Sequence, residues 1–214
     1  MLKEEKKLIL ITSILTLLPM FLGLLLWSRL PDQMPTHWNG AGEIDGWHSR
    51  LFAVCFLPLF ILAMHLIGVF ATLNDPKKRN ISPKVFRLVL WICPAVAVYV
   101  AALIYPTALG YAVNTEFMVG LLMGALFIIA GNYLPKCRPN YTIGIRIRWT
   151  IDDEENWNRT HRLAGPLWVA GGFVILLTTF LHVQQFPVML AVLILLSVIP
   201  ILYSYLFYLK KKDS

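Results

Sequence analysis

Apolar residues run in six long blocks along the 214-residue chain, with the polar residues gathered between them. The blocks are Leu8–Trp27, Leu51–Leu73, Leu88–Tyr105, Phe117–Tyr133, Leu163–His182 and Pro187–Leu209. A helix of about 20 apolar residues crosses about 30 Å of hydrocarbon, so each block is long enough, or nearly so, to span a bilayer. The pattern predicts an all-α polytopic membrane protein with six transmembrane helices. Pro19, Pro58, Pro94 and Pro200 fall inside blocks, and each removes a helix hydrogen bond. Such kinks serve substrate sites in some transporters, but passive shape is the preferred reading here. Gly120-x-x-x-Gly124 and the Gly171-Gly172 pair permit close approach of helices.

Composition agrees with this pattern. The chain is 57% hydrophobic and only 14% charged, where soluble domains carry about 25% charged residues. Its mean hydropathy is +0.65. Disorder is excluded, because disordered chains are poor in apolar residues. The first block follows Lys3, Lys6 and Lys7, as in a signal peptide. It is too long for an ordinary signal core and no small-x-small site follows, so it reads as a retained helix. Cys55 and Cys93 lie in apolar blocks and Cys137 follows Lys136, which suggests neither a disulfide framework nor a metal knuckle.

The net charge of +7 is distributed unevenly. Three lysines precede the first block, five Lys and Arg lie in 74–87, six in 134–162 and three in the tail, against only Arg29 and Arg50 elsewhere. Cytoplasmic loops carry the excess of basic residues, so both termini and loop 134–162 are expected to be cytoplasmic, and loop 28–50 to be outside. That distribution assigns the basic residues to membrane orientation rather than to nucleic acid. His65 is the one ionisable residue well inside a block. It is either a functional group or, the preferred reading, a neutral imidazole bonded to a neighbouring helix.

Loop 28–50 carries two strong turn signals, Asn39-Gly40 and Asp45-Gly46, and Pro31 and Pro35 favour extended residues before them. It is expected to be ordered as a short hairpin, with Trp38 and Trp47 packed together or at headgroup level. His37, His48, Asp32, Glu43 and Asp45 concentrate there, with Glu116 and His182 expected on the same side. Two histidines and a carboxylate could hold zinc, but no His-Glu-x-x-His places ligands on one helical face. Turn hydrogen bonds, or contact with a ligand from outside, are the preferred roles for His37, Trp38, Asn39, Glu43, Asp45, Trp47 and His48.

In loop 134–162, Tyr141, Ile143, Ile145, Ile147 and Trp149 alternate with Thr142, Gly144, Arg146 and Arg148. Period two predicts an extended segment with one apolar face. Thr150 reads as a helix N-cap, followed by Asp152, Asp153, Glu154 and Glu155 at the positive end of a helix. That helix carries Trp157 and His161 one turn apart and is expected to end near Gly165-Pro166. Arg146 and Arg148 suit a partner's carboxylates or phosphates, or anionic headgroups, and the residues leave both open. Neither a nucleophilic triad nor a glycine-rich phosphate loop is visible.

Gly131-Asn132-Tyr133, Pro139-Asn140-Tyr141, Gly144-Ile145-Arg146, Trp149-Thr150, Trp157 and Thr160-His161-Arg162 together resemble the SdpI-type immunity family of bacterial membrane proteins. Pro35-x-His37-Trp38-Asn39, Gly42 and Asp45-Gly46-Trp47 resemble the uncharacterised N-terminal domain that often precedes it. The resemblance implies two domains, 1–75 and 76–214, in the bacterial cell membrane. It implies resistance to a secreted, membrane-active peptide toxin, and signalling in which an occupied protein draws a winged-helix repressor to the membrane. A secreted toxin would meet the outer loop first, so its contacts are expected there. Repressor or lipid contacts fall among Asn140, Arg146, Arg148, Trp149, Trp157, His161 and Arg162. No enzyme activity, catalytic residue, cofactor, metal or direct nucleic-acid contact is expected. The rival readings are an outer-face metallohydrolase using His37, His48 and Glu43, and a small transporter built around the kinked helices and His65.

Overall fold

The structure, a computed structural model, describes residues 2–212, with side chains from Glu5 onward. Helix α1 (Leu2–Leu25) leads into a two-stranded antiparallel hairpin, β1 (Gln33–Trp38) and β2 (Ile44–Ser49). A π-helical turn, Phe52–Phe56, opens α2 (Leu57–Leu73). Then follow α3 (Pro83–Ala108), α4 (Thr115–Tyr133), the short α5 (Arg148–Ile151), α6 (Glu154–Phe180) and α7 (Gln185–Lys212). Among the described residues six helices are long and apolar enough to cross a membrane, one for each apolar block. Many of their large side chains, such as Phe70 and Phe173, are exposed, as helices in lipid require no polar outer face. The protein is an all-α polytopic membrane protein. The chain ends Met1 and Ser214, whose side charge predicts, lie outside the described residues.

The chain divides into two compact units, one holding the segment to Leu73 with Pro83–Thr115, the other Asn74–Ser82 with everything from Glu116 on. In the first unit Leu30, Met34, Ala53, Val54, Ile104 and Tyr105 form the core under the hairpin, with Trp38 packed against it. Gly23 lets α1 close on this cluster: a methyl there would lie 2.7 Å from the Tyr105 hydroxyl and from Val54. That hydroxyl donates to the Pro19 carbonyl at 2.8 Å. Lower in the same unit His65 Nε2 meets Thr12 Oγ1 at 3.1 Å, the bonded, buried imidazole preferred from the sequence. Glu5, buried, is held by Arg87 at 2.8 Å.

In the second unit Phe127, Ile175, Val192 and Leu196 form the core. Gly120, Gly124 and Gly131 of α4 face α6, where a methyl on Gly131 would lie 2.7 Å from the Gly165 carbonyl oxygen. The glycine pattern thus serves internal packing. Three local expectations are corrected. The helix carrying Trp157 does not end at Gly165-Pro166: α6 runs unbroken, because Gly165 fits against Pro135 and one hydrogen bond lost at Pro166 is tolerated in a spanning helix. Its N-cap is Asp153, whose carboxylate accepts from Glu155 N and Asn156 N, whereas Thr150 lies within α5. And Tyr141–Ile147 is not an extended segment with one apolar face. It bends repeatedly, Gly144 takes φ +116°, and Tyr141 is exposed. The bends follow from hydrogen bonds to distant residues, which outweigh the local alternation.

Candidate functional site

Two polar regions stand out from the apolar helices: the hairpin of the first unit and the basic loop of the second. The hairpin register pairs Gln33 with Ser49, Met34 with His48 and Pro35 with Trp47, then slips so that His37 faces Gly46. Gly46 is needed there, since a methyl would lie 2.7 Å from His37 Cβ. Asn39 builds the turn. Its Oδ1 accepts from Ala41 N at 2.9 Å and Glu43 N at 3.0 Å, and its Nδ2 donates to Glu43 Oε2 at 3.0 Å. Gly42 supplies the positive φ of +76°.

The other polar residues of the hairpin pair within it. His37 Nδ1 meets Asp45 Oδ1 at 2.5 Å, and His48 Nδ1 meets Thr36 Oγ1 at 2.6 Å while its ring stacks on Phe52. Among the described residues no three of His, Cys, Asp and Glu form a group able to hold a metal ion. Glu116 and His182 belong to the other unit. Trp38 is half-buried on the core, whereas Trp47 is 54% exposed. The base is clamped by Arg50, which pairs with Asp32, donates to the Trp27 carbonyl at 2.6 Å and lies over the Trp27 ring. Arg50 and Trp27 escaped the sequence reading. The signal available was that Arg50 is one of only two basic residues outside the four basic segments.

The basic loop is ordered from several directions. Asn140 satisfies all its amide valences locally: Oδ1 accepts from Thr142 N and Ile143 N, and Nδ2 donates to the Arg138 and Ile143 carbonyls. The buried Asp75 carboxylate accepts from Lys77 N at 2.7 Å, Tyr141 N at 2.8 Å and Thr142 Oγ1 at 2.6 Å. Asn80 Nδ2 donates to the Pro139 carbonyl at 2.7 Å. From α6, His161 Nε2 accepts from Ile145 N at 2.9 Å, so its proton sits on Nδ1 and donates to the Trp157 carbonyl at 2.8 Å. Gly144 is required beside it, because a methyl would lie 2.5 Å from His161 Nε2. Trp157 Nε1 donates to the Cys137 carbonyl at 2.8 Å. Burial pushes the Cys137 thiol up to about 11.

The candidates in this loop therefore separate. Asn140, Trp157 and His161 are buried and shape the loop. Arg146, Arg148 and Arg162 are exposed, although Arg146 also donates to the Tyr141 carbonyl at 2.6 Å. Arg162 lines an open cleft of about 750 Å3 with Glu154, Glu155, Arg159 and Tyr203. Trp149 packs against Tyr205 and Tyr208, its indole N–H buried without an acceptor. At the start of α6, burial raises the Asp153 carboxyl, but the Lys211 ammonium and the amides of Asn156 and Glu155 outweigh it and hold it below the usual range. Asp75 and Asn80 were missed by the sequence reading. The signal was a single acidic residue in a loop with five basic ones.

Six spanning helices, a hairpin on one unit and a hydrogen-bonded basic loop on the other define a multi-pass membrane protein with structured connecting loops. Residues 136–204 match the SdpI/YfhL protein family, and residues 14–62 match a domain of unknown function (DUF1648). The chain is 27% identical over 209 residues to the immunity protein SdpI of Bacillus subtilis (strain 168), covering 95% of this chain and 97% of that one. The family match takes in Pro139-Asn140-Tyr141, Gly144-Ile145-Arg146, Trp149-Thr150, Trp157 and Thr160-His161-Arg162, and leaves Gly131-Asn132-Tyr133 just outside. No solved structure matches the chain.

Proposed function

We propose that the protein gives its cell immunity to a secreted, membrane-active peptide, captured at the hairpin between α1 and α2, and that the basic loop reports capture to a cytoplasmic repressor. Similarity to an immunity protein over nearly the whole chain supports the immunity function and a non-enzymatic mode of action. The observation that carries the hairpin assignment is Trp47. A large aromatic held 54% exposed on a rigid, clamped hairpin is a ready anchor for an amphipathic peptide. His37 and His48 flank it, with their Nδ1 atoms already engaged. Trp47→Ala should lower survival under toxin at least tenfold at unchanged membrane abundance, because aromatic anchors contribute about 2 kcal/mol or more. Trp38→Ala should lower abundance as well, since Trp38 packs on the core. Full survival of the Trp47 variant would move the peptide site into the helices.

The orientation that places the hairpin outside rests on the division of basic residues. Ser49→Cys should react with an impermeant maleimide in intact cells, and Arg79→Cys only after permeabilisation. The native thiols give a low background: Cys137 is buried with its thiol near 11, and Cys55 and Cys93 are half-buried within spanning helices. Labelling of Arg79→Cys from outside would invert the arrangement. For signalling, the exposed Arg146 and Arg162 present the forked donors that acidic groups of a repressor would meet.

A further inference from the structure

We propose that the cleft where α5 meets the end of α7 is a binding site for the phosphate of an anionic phospholipid headgroup. The cleft, about 530 Å3, is lined by Arg148, Trp149, Asp152, Asp153, Tyr208, Lys211 and Lys212. Its floor is aromatic: Trp149 stacks on Tyr208 with ring centres 6.2 Å apart and packs on Tyr205 at 5.3 Å. Its rim is cationic. Lys211 is neutralised by Asp153 at 2.7 Å, whereas Arg148 reaches Asp152 only at 4.0 Å with its side chain 90% exposed. Lys212 has no ion-pair partner among the described residues. Lys211 also meets Glu155 at 3.5 Å, but Glu155 is matched by Arg159 at 2.9 Å, so the lining keeps three cations against two carboxylates, a surplus of one positive charge.

Position and charge select the ligand. The cleft lies where the apolar run of α7 gives way to Lys210–Lys212, the level at which headgroups of a surrounding bilayer stand. One phosphodiester neutralises the surplus of one. A zwitterionic headgroup brings its own ammonium and leaves the surplus in place, so a lipid such as phosphatidylglycerol is favoured over phosphatidylcholine. The guanidinium of Arg148 offers two parallel donors to phosphate oxygens, and the aromatic faces take the glycerol and first acyl carbons. This site is independent of the immunity reading. It assigns Arg148 and Trp149 to lipid, leaving Arg146 and Arg162 to the proposed repressor contact.

The test uses the full chain, purified in detergent, delipidated and titrated with phosphatidylglycerol, phosphatidylcholine or inorganic phosphate, with bound adducts counted by native mass spectrometry. Arg148→Ala combined with Lys212→Ala should lose at least tenfold in phosphatidylglycerol retention, with phosphatidylcholine unaffected. The control pair Arg79→Ala and Lys84→Ala removes the same charge from exposed positions outside the cleft and should retain the lipid. Trp149→Leu should weaken retention without changing charge. Millimolar phosphate should not displace the lipid. Displacement would make the site a soluble-phosphate site and overturn the lipid assignment. Equal loss in the control pair would show diffuse attraction only. Undiminished retention in the Arg148 and Lys212 variant would remove the site, and displacement of the lipid by micromolar hexaglutamate peptide would reassign it to the docking of acidic protein segments.

Discussion

Gly172→Ala is expected to destabilise the protein by about 2–3 kcal/mol, although alanine is the better helix former by about 1 kcal/mol. The added methyl would lie 2.6 Å from the Gly124 carbonyl oxygen, 2.7 Å from Ile128 Cγ1 and 2.9 Å from Ile128 N. Two of these three neighbours are main-chain atoms of α4, so relief requires moving a whole helix rather than rotating a side chain. Gly68 of α2 is the natural comparison, with nothing within 4 Å of the same methyl. Gly68→Ala should therefore be neutral or stabilising. Opposite signs in thermal or SDS-titrated unfolding of the two variants are the expected result. A neutral Gly172→Ala would show that α4 and α6 are not in such close contact.

Asp75→Ala should release the basic loop. Asp75 is 3% exposed and accepts three hydrogen bonds, two of them from Tyr141 and Thr142, so its removal strands partly buried donors. Loss of charge-assisted bonds of this kind costs about 3 kcal/mol. The cost should be local: faster hydrogen exchange at Tyr141 and Thr142 and protease sensitivity across 138–148, with the hairpin unchanged. Asp75→Asn should fall between, keeping an acceptor oxygen but placing an NH2 group against donors. If the basic loop signals, repressor-reporter induction should fall in Asp75→Ala while survival under toxin persists. Equal loss of both would tie the loop to protection itself.

The helices were legible because length and apolarity alone decide a membrane span, and each of the six blocks sits on one spanning helix. The hairpin was legible from Asn39-Gly40, whereas the second expected turn, Asp45-Gly46, lies inside β2, where Gly46 pairs with His37. The tightest bend is made by Asn39 reaching Glu43, and the slip at His37 depends on Gly46 lacking a side chain. The basic loop was misread because its alternation of isoleucines with Thr, Gly and Arg has the period of a strand. What decides its path is His161, sixteen residues away from Ile145, and Asp75, sixty-six away from Tyr141. No local pattern encodes partners at that separation. Asp153 displaced Thr150 as the cap for a related reason. Thr150 Oγ1 is already engaged with Ile147 N and the carbonyls of Ile145 and Ile147.

The segment Asn74–Ser82 belongs to the second unit although the helices on either side of it, α2 and α3, belong to the first. The two units are therefore interleaved along the gene rather than laid end to end. No single break point yields two complete halves. A chain beginning at Glu116 would contain the whole family-matched segment yet lack Asp75 and Asn80, leaving Tyr141, Thr142 and Pro139 without the partners that hold them. A recombination that transplanted residues 136–204 onto another membrane protein would carry the basic loop's residues without its anchor. Shuffling between relatives is then expected to succeed only when the short link between α2 and α3 travels with the distal half.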